Sequence, residues 1–266
     1  MFVTHRANNS VEYLTSTIIR SRHAFATRIG GFGEHPYTAG LNLAFNRGDS
    51  DGTVLKNLSL FGEAVGFDPQ GVISLPQIHS ATVIDVDKSS RGLGYYEKTE
   101  QSADGYVTSE SGIVLGVKSA DCVPILLEAY DEKNKIIAVS AIHAGWRGTA
   151  KGIAKEGVGM LVKKGADPKR IRAAIGPSID FCCFEVGEDF AAEVAQMRDD
   201  WKPFARDGKL YADVKARNRE DLVSCGLTNE NIDLCDDCTC CLEGKYFSHR
   251  RMKGLRGTML SVIEIY

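Results

Sequence analysis

Hydrophobic and polar positions change period several times along the chain, and each change marks an element. Val54, Leu58, Phe61 and Val65 recur at helical spacing behind Asp51, which predicts a helix capped by Asp51. Thr149 is expected to cap a second helix, with Ala150, Ile153, Ala154, Val158, Leu161 and Val162 inward. Two further helices are expected over Glu188–Arg198 and Asp213–Ser224. Runs rich in β-branched residues predict strands at Val72–Leu75, Thr82–Val86, Gly112–Val117, Val123–Tyr130, Ile136–Ile142, Ile171–Ile175 and Gly257–Ile265. Helices and strands follow one another without regular βαβ alternation, so an α+β fold with mixed sheets is expected, not a doubly wound Rossmann sheet. No repeat or low-complexity linker interrupts the pattern, and a single domain over residues 1–266 is expected, with polar, glycine-bearing Asp87–Ser102 its softest segment.

Composition narrows the partners. With 266 residues and 43% hydrophobic content the chain can bury a sizeable core. A net charge of -3 without any Lys/Arg block argues against nucleic acid or an acidic membrane as the main partner and favours a small polar substrate. No segment approaches the roughly 20 apolar residues of a membrane span. The first residues carry His5 and Arg6 with no apolar signal core, so a cytoplasmic location is expected. In that setting the eight cysteines are expected to be reduced thiols or metal ligands, not disulfides. No interface stripe stands out, and a monomer is expected.

Three segments place a reactive side chain at the edge of an apolar strand: Leu75–Ser80 with His79, Lys118–Pro124 with Cys122, and Ala141–Thr149 with His143. Two imidazoles and a thiolate suit tetrahedral zinc, and three protein ligands leave a fourth position for water or substrate. The separations, 43 and 21 residues, match no local ligand motif, so a buried thiol beside two strand-end histidines remains the bland alternative. The third segment adds a glycine-rich turn running into a helix, where free backbone N–H groups and Arg147 could receive an anion. The counter-reading is a tight turn beside a surface charge.

These segments resemble, in order and wording, the YfiH-like family, also described as multicopper polyphenol oxidoreductase or laccase-like and associated with purine nucleoside phosphorylase activity. The resemblance covers nearly the whole chain. It rests most firmly on Ala120-Asp121-Cys122-Val123-Pro124 and His143-Ala144-Gly145-Trp146-Arg147-Gly148-Thr149. Looser matches lie at His23–Arg28, Leu41-Asn42-Leu43, Gln77-Ile78-His79, Ala103-Asp104-Gly105, Ile175–Ile179 and Phe247–Arg251. The resemblance implies a layered α/β/β/α sandwich and zinc held by His79, Cys122 and His143, with copper the less favoured metal. It implies phosphorolysis of adenosine, inosine and methylthioadenosine, with adenosine deamination as a companion activity. Arg28, Asn42, Gly145, Trp146, His249 and Arg250 are the expected substrate contacts, and Asp121 and Arg147 the expected catalytic side chains. Ser80 stands where the family usually has Gly, Gly40 and Ala44 flank the Leu-Asn-Leu stretch in place of Ser and Gly, and Met252–Gly257 replaces a shorter Thr-Gly-Arg. These departures bear on base specificity.

Two other readings remain. Cys122 and His143 could form a thiol hydrolase or deamidase pair without metal. A copper polyphenol oxidase ranks third, because six histidines, with His5, His23 and His35 scattered near the start, are few for several coppers. The usual zinc nucleobase deaminase pattern, H-x-E with P-C-x-x-C, does not occur. Cys235, Cys238, Cys240 and Cys241 form a dense cluster, and a second metal there would require Cys182, Cys183 or Cys225 to approach in space.

Overall fold

The computed structural model describes residues 1–266. In chain order the elements are β1 Phe2–Arg6, β2 Glu12–Ser16, β3 Arg22–Ala26, α1 Asp51–Val65, β4 Val72–Ile73, β5 Val83–Asp85, β6 Gly105–Thr108, β7 Val114–Ser119, β8 Val123–Tyr130 and β9 Ile136–Ala144. There follow α2 Trp146–Ala150, α3 Ile153–Lys163, β10 Ile171–Ile175, β11 Glu185–Val186, α4 Glu188–Met197, β12 Phe204–Arg206, β13 Lys209–Tyr211, α5 Val214–Ser224, β14 Ile232–Leu234 and β15 Met259–Glu264.

The strands form two six-stranded mixed sheets, ordered β1-β2-β3-β15-β7-β4 and β14-β10-β8-β9-β6-β5, and a small ribbon β11-β13-β12. Pairing is antiparallel within both sheets except for the parallel pairs β4/β7, β5/β6 and β10/β14. Strand β8 is buried at every position because its alternate side chains enter two different cores. Leu126 joins the core shared with Phe25, Leu115 and Leu260 of the first sheet and Val54, Leu58 and Phe61 of α1. Ile125 and Leu127 join the other core, with Ile153, Val158 and Leu161 of α3, Phe190 of α4 and Leu222 of α5. The layers therefore run α1, first sheet, second sheet, then the remaining helices, the mixed-sheet sandwich expected. No helix is long and apolar enough to cross a membrane.

Two caps differ from expectation. Ser50, in extended backbone, accepts Thr53 N and caps α1, so Asp51 sits in the first turn instead. Thr149 caps nothing: the chain turns helical at Trp146 behind extended Gly145, breaks at Gly152 (φ 81°), and restarts as α3. Thr149 is buried, and its hydroxyl accepts from Asn218 Nδ2 of α5 at 2.9 Å.

Candidate active site

The two sheets exchange the chain between β7 and β8, and the site lies at that crossing. Val123 pairs with Ala144 and Pro124 with His143, so the antiparallel register sets Cys122, one residue before β8, beside the end of β9. His79 arrives on the loop between β4 and β5. Gln77 pins that loop by an amide pair with the backbone of Lys118, each hydrogen bond 2.7 Å long.

Asp104, just before β6, is fully buried and organises both histidines. Its carboxylate accepts Ile78 N (3.3 Å), His79 N (3.0 Å), Ser80 N (2.7 Å) and Ser80 Oγ (2.7 Å). Three successive N–H groups thus wrap one carboxylate, and His79 takes a left-handed φ of 59° to close the loop around it. Asp104 Oδ1 also lies 2.9 Å from His143 Nδ1. A carboxylate can only accept there, so Nδ1 carries a proton and Nε2 is the nitrogen left to face the site.

The donor atoms of His79, Cys122 and His143 lie within 4.8 Å of one another. Cys122 Sγ is 3.7 Å from His79 Nε2, and the two imidazole rings stand edge to face at 5.0 Å. Gly145 completes the cradle: a Cβ there would lie 2.5 Å from His79 Cδ2 and 3.4 Å from Cys122 Sγ. Two nitrogens and a thiolate converging in this way, with a carboxylate fixing one imidazole from behind, fit a single transition-metal ion. Burial pushes the Cys122 thiol up, but the charge and hydrogen bonds of His143, then His79, outweigh it and bring its pKa down to about 6. Burial likewise opposes charge on His143, and Cys122 and Asp104 outweigh it, raising the imidazole to about 9. Asp104 is held at about 2 despite its burial, by His143 and Ser80.

The triad opens into a cleft of about 800 Å³ that also receives Arg47, Tyr95, Lys118, Arg256 and Thr258. Lys118 Nζ donates to Ser74 O at 3.0 Å; burial and then Arg47 lower its pKa to about 8. Burial and Arg47 also pull the Arg256 guanidinium down, to about 10. Arg47, Lys98, Lys118 and Arg256 line this cleft against the carboxylates Asp51 and Glu97, so its lining carries a positive excess beside the thiolate. Arg47, Lys118, Arg256 and Asp104 were not singled out as site residues from the sequence. Asp104 was visible there within the Ala-Asp-Gly stretch of the resemblance, whereas the three cations carry no local motif.

Other nominated residues lie elsewhere. Asn42 is buried, its Nδ2 donating to Asp49 Oδ2 (2.8 Å) and its Oδ1 accepting Thr258 N (3.0 Å), so it props the cleft wall from behind. Arg28 lies over the Phe247 ring at 4.6 Å and donates to Ala39 O at 2.8 Å. Arg147 makes a two-pronged pair with Glu193 at 2.6 and 2.9 Å, and stacks on Trp146, which packs against Phe190. The Asp121 carboxylate accepts Thr239 Oγ1 (2.7 Å), Ser248 Oγ (3.0 Å) and Arg250 N (2.7 Å), turning toward the C-terminal segment. His249 and Arg250 are exposed, with the Arg250 guanidinium on Cys183 O at 3.0 Å.

The remaining imidazoles are engaged far from the triad. His5 stacks on Tyr13, His23 bonds Ser16 N and Ser21 O, and His35 stacks on Tyr37. The triad thus has the imidazoles for one metal ion and no cluster of further imidazoles around it.

A mixed two-sheet sandwich with a His-Cys-His centre at the sheet crossing defines the class, and the chain belongs to the family described as multi-copper polyphenol oxidoreductase laccase, whose model matches residues 22–266. A relative from Deinococcus radiodurans, named purine nucleoside phosphorylase, is 36% identical over 244 residues, spanning 91% of this chain and 88% of its own. Adenosine deaminase RL5, from an unknown prokaryotic organism, is 37% identical over 235 residues, spanning 86% of this chain and 88% of its own. The crystal structure of YlmD from Geobacillus stearothermophilus superposes with a TM-score of 0.89 at 30% identity, covering 100% of this chain and 99% of that one.

Proposed function

We propose that this chain is a zinc-dependent purine nucleoside phosphorylase acting on adenosine, inosine and methylthioadenosine, with adenosine deamination as a second reaction of the same site. The observation that carries the reading is the joining, in one cleft, of the His79, Cys122 and His143 donors with the cations Arg47, Lys118 and Arg256. A family described as a polyphenol oxidoreductase supplies no reason for such a positive excess, whereas phosphate as co-substrate does.

His79, Cys122 and His143 would hold the zinc, with Asp104 keeping His143 in the tautomer that ligates through Nε2. Zinc bound there supplies Lewis-acid stabilisation of negative charge on oxygen. Arg47, Lys118 and Arg256 bind phosphate and hold one oxygen toward the sugar. As that oxygen bonds to the anomeric carbon, the glycosidic bond to the purine nitrogen breaks, and the base leaves with the bonding electron pair and takes up the proton that hydrogen phosphate gives up. The products are free base and the sugar 1-phosphate. Deamination instead adds water at the purine carbon bearing the amino group and releases ammonia. Asp121 acts as a positioning residue that ties Thr239, Ser248 and Arg250 behind Cys122. Gly145 leaves room for the metal and Trp146 and Arg147 brace its turn from outside, whereas Arg28, His249 and Arg250 do not line the cleft and take no part in the step.

A second reading rests on the Cys122, His143, Asp104 line, which has the order of a thiol nucleophile, base and orienting carboxylate. One experiment separates the two. Metal-loaded protein is incubated with each nucleoside with and without phosphate, and products are identified by chromatography. Phosphate-dependent base release that disappears on chelation and in Cys122→Ala is expected. Activity surviving chelation would favour the thiol hydrolase, and zinc-loaded protein releasing no base would end the phosphorylase reading.

A further inference from the structure

Away from the cleft, two loops distant in sequence bring four thiols together. Cys182 and Cys183 lie between β10 and β11, and Cys238 and Cys241 on the turn after β14. Their sulfurs all lie within 4.8 Å of one another. Cys182 to Cys241 is 3.5 Å, Cys183 to Cys241 3.3 Å, and Cys182 to Cys183 3.7 Å. A disulfide needs about 2.05 Å, and all four cysteines are free. Zinc–sulfur bonds of about 2.3 Å in a tetrahedron set sulfurs about 3.8 Å apart. The observed spacing is close to that arrangement.

Packing as small hydrophobes does not account for the group. Cys235, a few residues earlier, is 3% exposed and belongs to the larger core, but none of the four belongs to either core, and Cys241 is exposed. The scaffold around the thiols is instead tied by polar contacts. Ser178 bridges Cys238, Thr239 N donates to Ser178 O at 3.0 Å, and Asp180 N points at Cys238 Sγ at 3.4 Å. Lys215 Nζ, buried, joins Asp180 to the carbonyls of Cys235 and Asp237. Arg251 donates to Thr239 O at 2.6 Å and Cys240 O at 2.8 Å. Both thiol-bearing loops are therefore held in register by contacts that do not involve sulfur–sulfur bonds.

We propose that Cys182, Cys183, Cys238 and Cys241 form a second, structural metal site that takes one zinc ion. Four thiolates fill the tetrahedron, leaving no position for substrate, so the ion stabilises and does not react. Its place in the fold gives it a task. Thr239, inside the Cys238–Cys241 turn, donates to Asp121 at 2.7 Å, and Asp121 immediately precedes Cys122. Asp121 holds a positive φ of 99°, a conformation that needs support from its surroundings. The tetrathiolate site clamps the turn that supplies that support.

Counting metal tests this without reference to any reaction. Protein loaded with zinc, freed of excess by gel filtration and analysed by mass spectrometry of the metal should carry two equivalents in the wild type. One equivalent should remain in Cys122→Ala and one in Cys182→Ser/Cys241→Ser. Cobalt(II) loaded into Cys122→Ala should give strong thiolate-to-cobalt charge-transfer absorption and tetrahedral visible bands, and the added Cys241→Ser change should abolish them. If the double serine variant does not fold, the Cys122→Ala count decides alone. One equivalent in the wild type with none in Cys122→Ala overturns the proposal, as does an intact mass showing a disulfide among the four cysteines.

Discussion

Asp104 gathers five hydrogen bonds, from Ile78 N, His79 N, Ser80 N, Ser80 Oγ and His143 Nδ1, and so governs two side chains of the candidate metal centre at once. An amide in its place would turn an NH2 group toward donors and leave buried N–H groups unpaired. Asp104→Asn is therefore expected to weaken zinc binding about 10- to 100-fold, read by competition with a chromophoric chelator; unchanged affinity would refute the orienting role. Gly145 is the second sensitive residue, because its Cβ would enter the space beside His79 and Cys122. Gly145→Ala should lower kcat/KM by about 100-fold through displaced ligands while the melting temperature stays within a few degrees, since the backbone there is extended and strain-free for alanine. The three candidate ligands are legible in the sequence by residue type, which metal chemistry restricts, together with the family resemblance, because their spacing matches no local motif. Asp104 shows in the sequence only as part of the Ala103-Asp104-Gly105 match, and its orienting role becomes distinctive only when its five donors are seen around it.

Strands and helices differed in how openly their patterns read. The expected runs match β8 and β10 at their observed bounds, since β8, buried on both faces, is written as an apolar run interrupted only by Glu128. α5 was placed within a residue, with Asp213 capping through Ala216 N, but its buried face could not be anticipated. Lys215, Arg217, Asn218 and Asp221 are buried on it, where an amphipathic pattern would put apolar residues. Asp221, fully buried, takes two bonds from Arg198 (2.9 and 3.0 Å) and one from Arg217 (2.7 Å). Arg198 and Arg217 both keep Asp200, and Arg217 keeps Glu220, so Asp221→Ala removes charged hydrogen bonds without stripping either guanidinium of its counter-charge and should destabilise by about 1.5–3 kcal/mol, measured by urea unfolding; a loss under about 0.5 kcal/mol, the scatter of a surface change, would show the network to be dispensable. The strands β1, β2 and β3 do not stand out along the chain because each mixes charged or polar residues among its apolar ones (FVTHR, EYLTS, RHAFA), and β6 offers only Tyr106 and Val107 between Gly105 and Thr108.

Across the molecule, the two sheets and the loops between them bring Arg47, Lys118 and Arg256 from remote positions into one cleft with His79, Cys122 and His143. Loss of a charged hydrogen-bonding partner is worth about 1.5–3 kcal/mol, so Arg256→Ala should raise the KM for phosphate roughly 10- to 100-fold with a smaller change in kcat. An unchanged KM would remove that side chain from the phosphate site. Burial and Arg47 set the Lys118 ammonium at about 8, so it is charged below that pH and neutral above it. kcat/KM for phosphate, which reports the free enzyme, should decline as pH rises through about 8, and Lys118→Gln should lose that inflection; a profile unaltered in the variant would assign the ionisation elsewhere. The helical and strand periods, the absence of a Rossmann alternation and the metal-ligating residue types could all be read along the chain, because each depends on neighbours in sequence or on the chemistry of a single side chain. Which carboxylate orients His143, which cations face the ligands, where Asp121 turns its oxygens and that four separated cysteines meet were set by packing, because those relations join residues tens to more than a hundred positions apart and no local pattern encodes them.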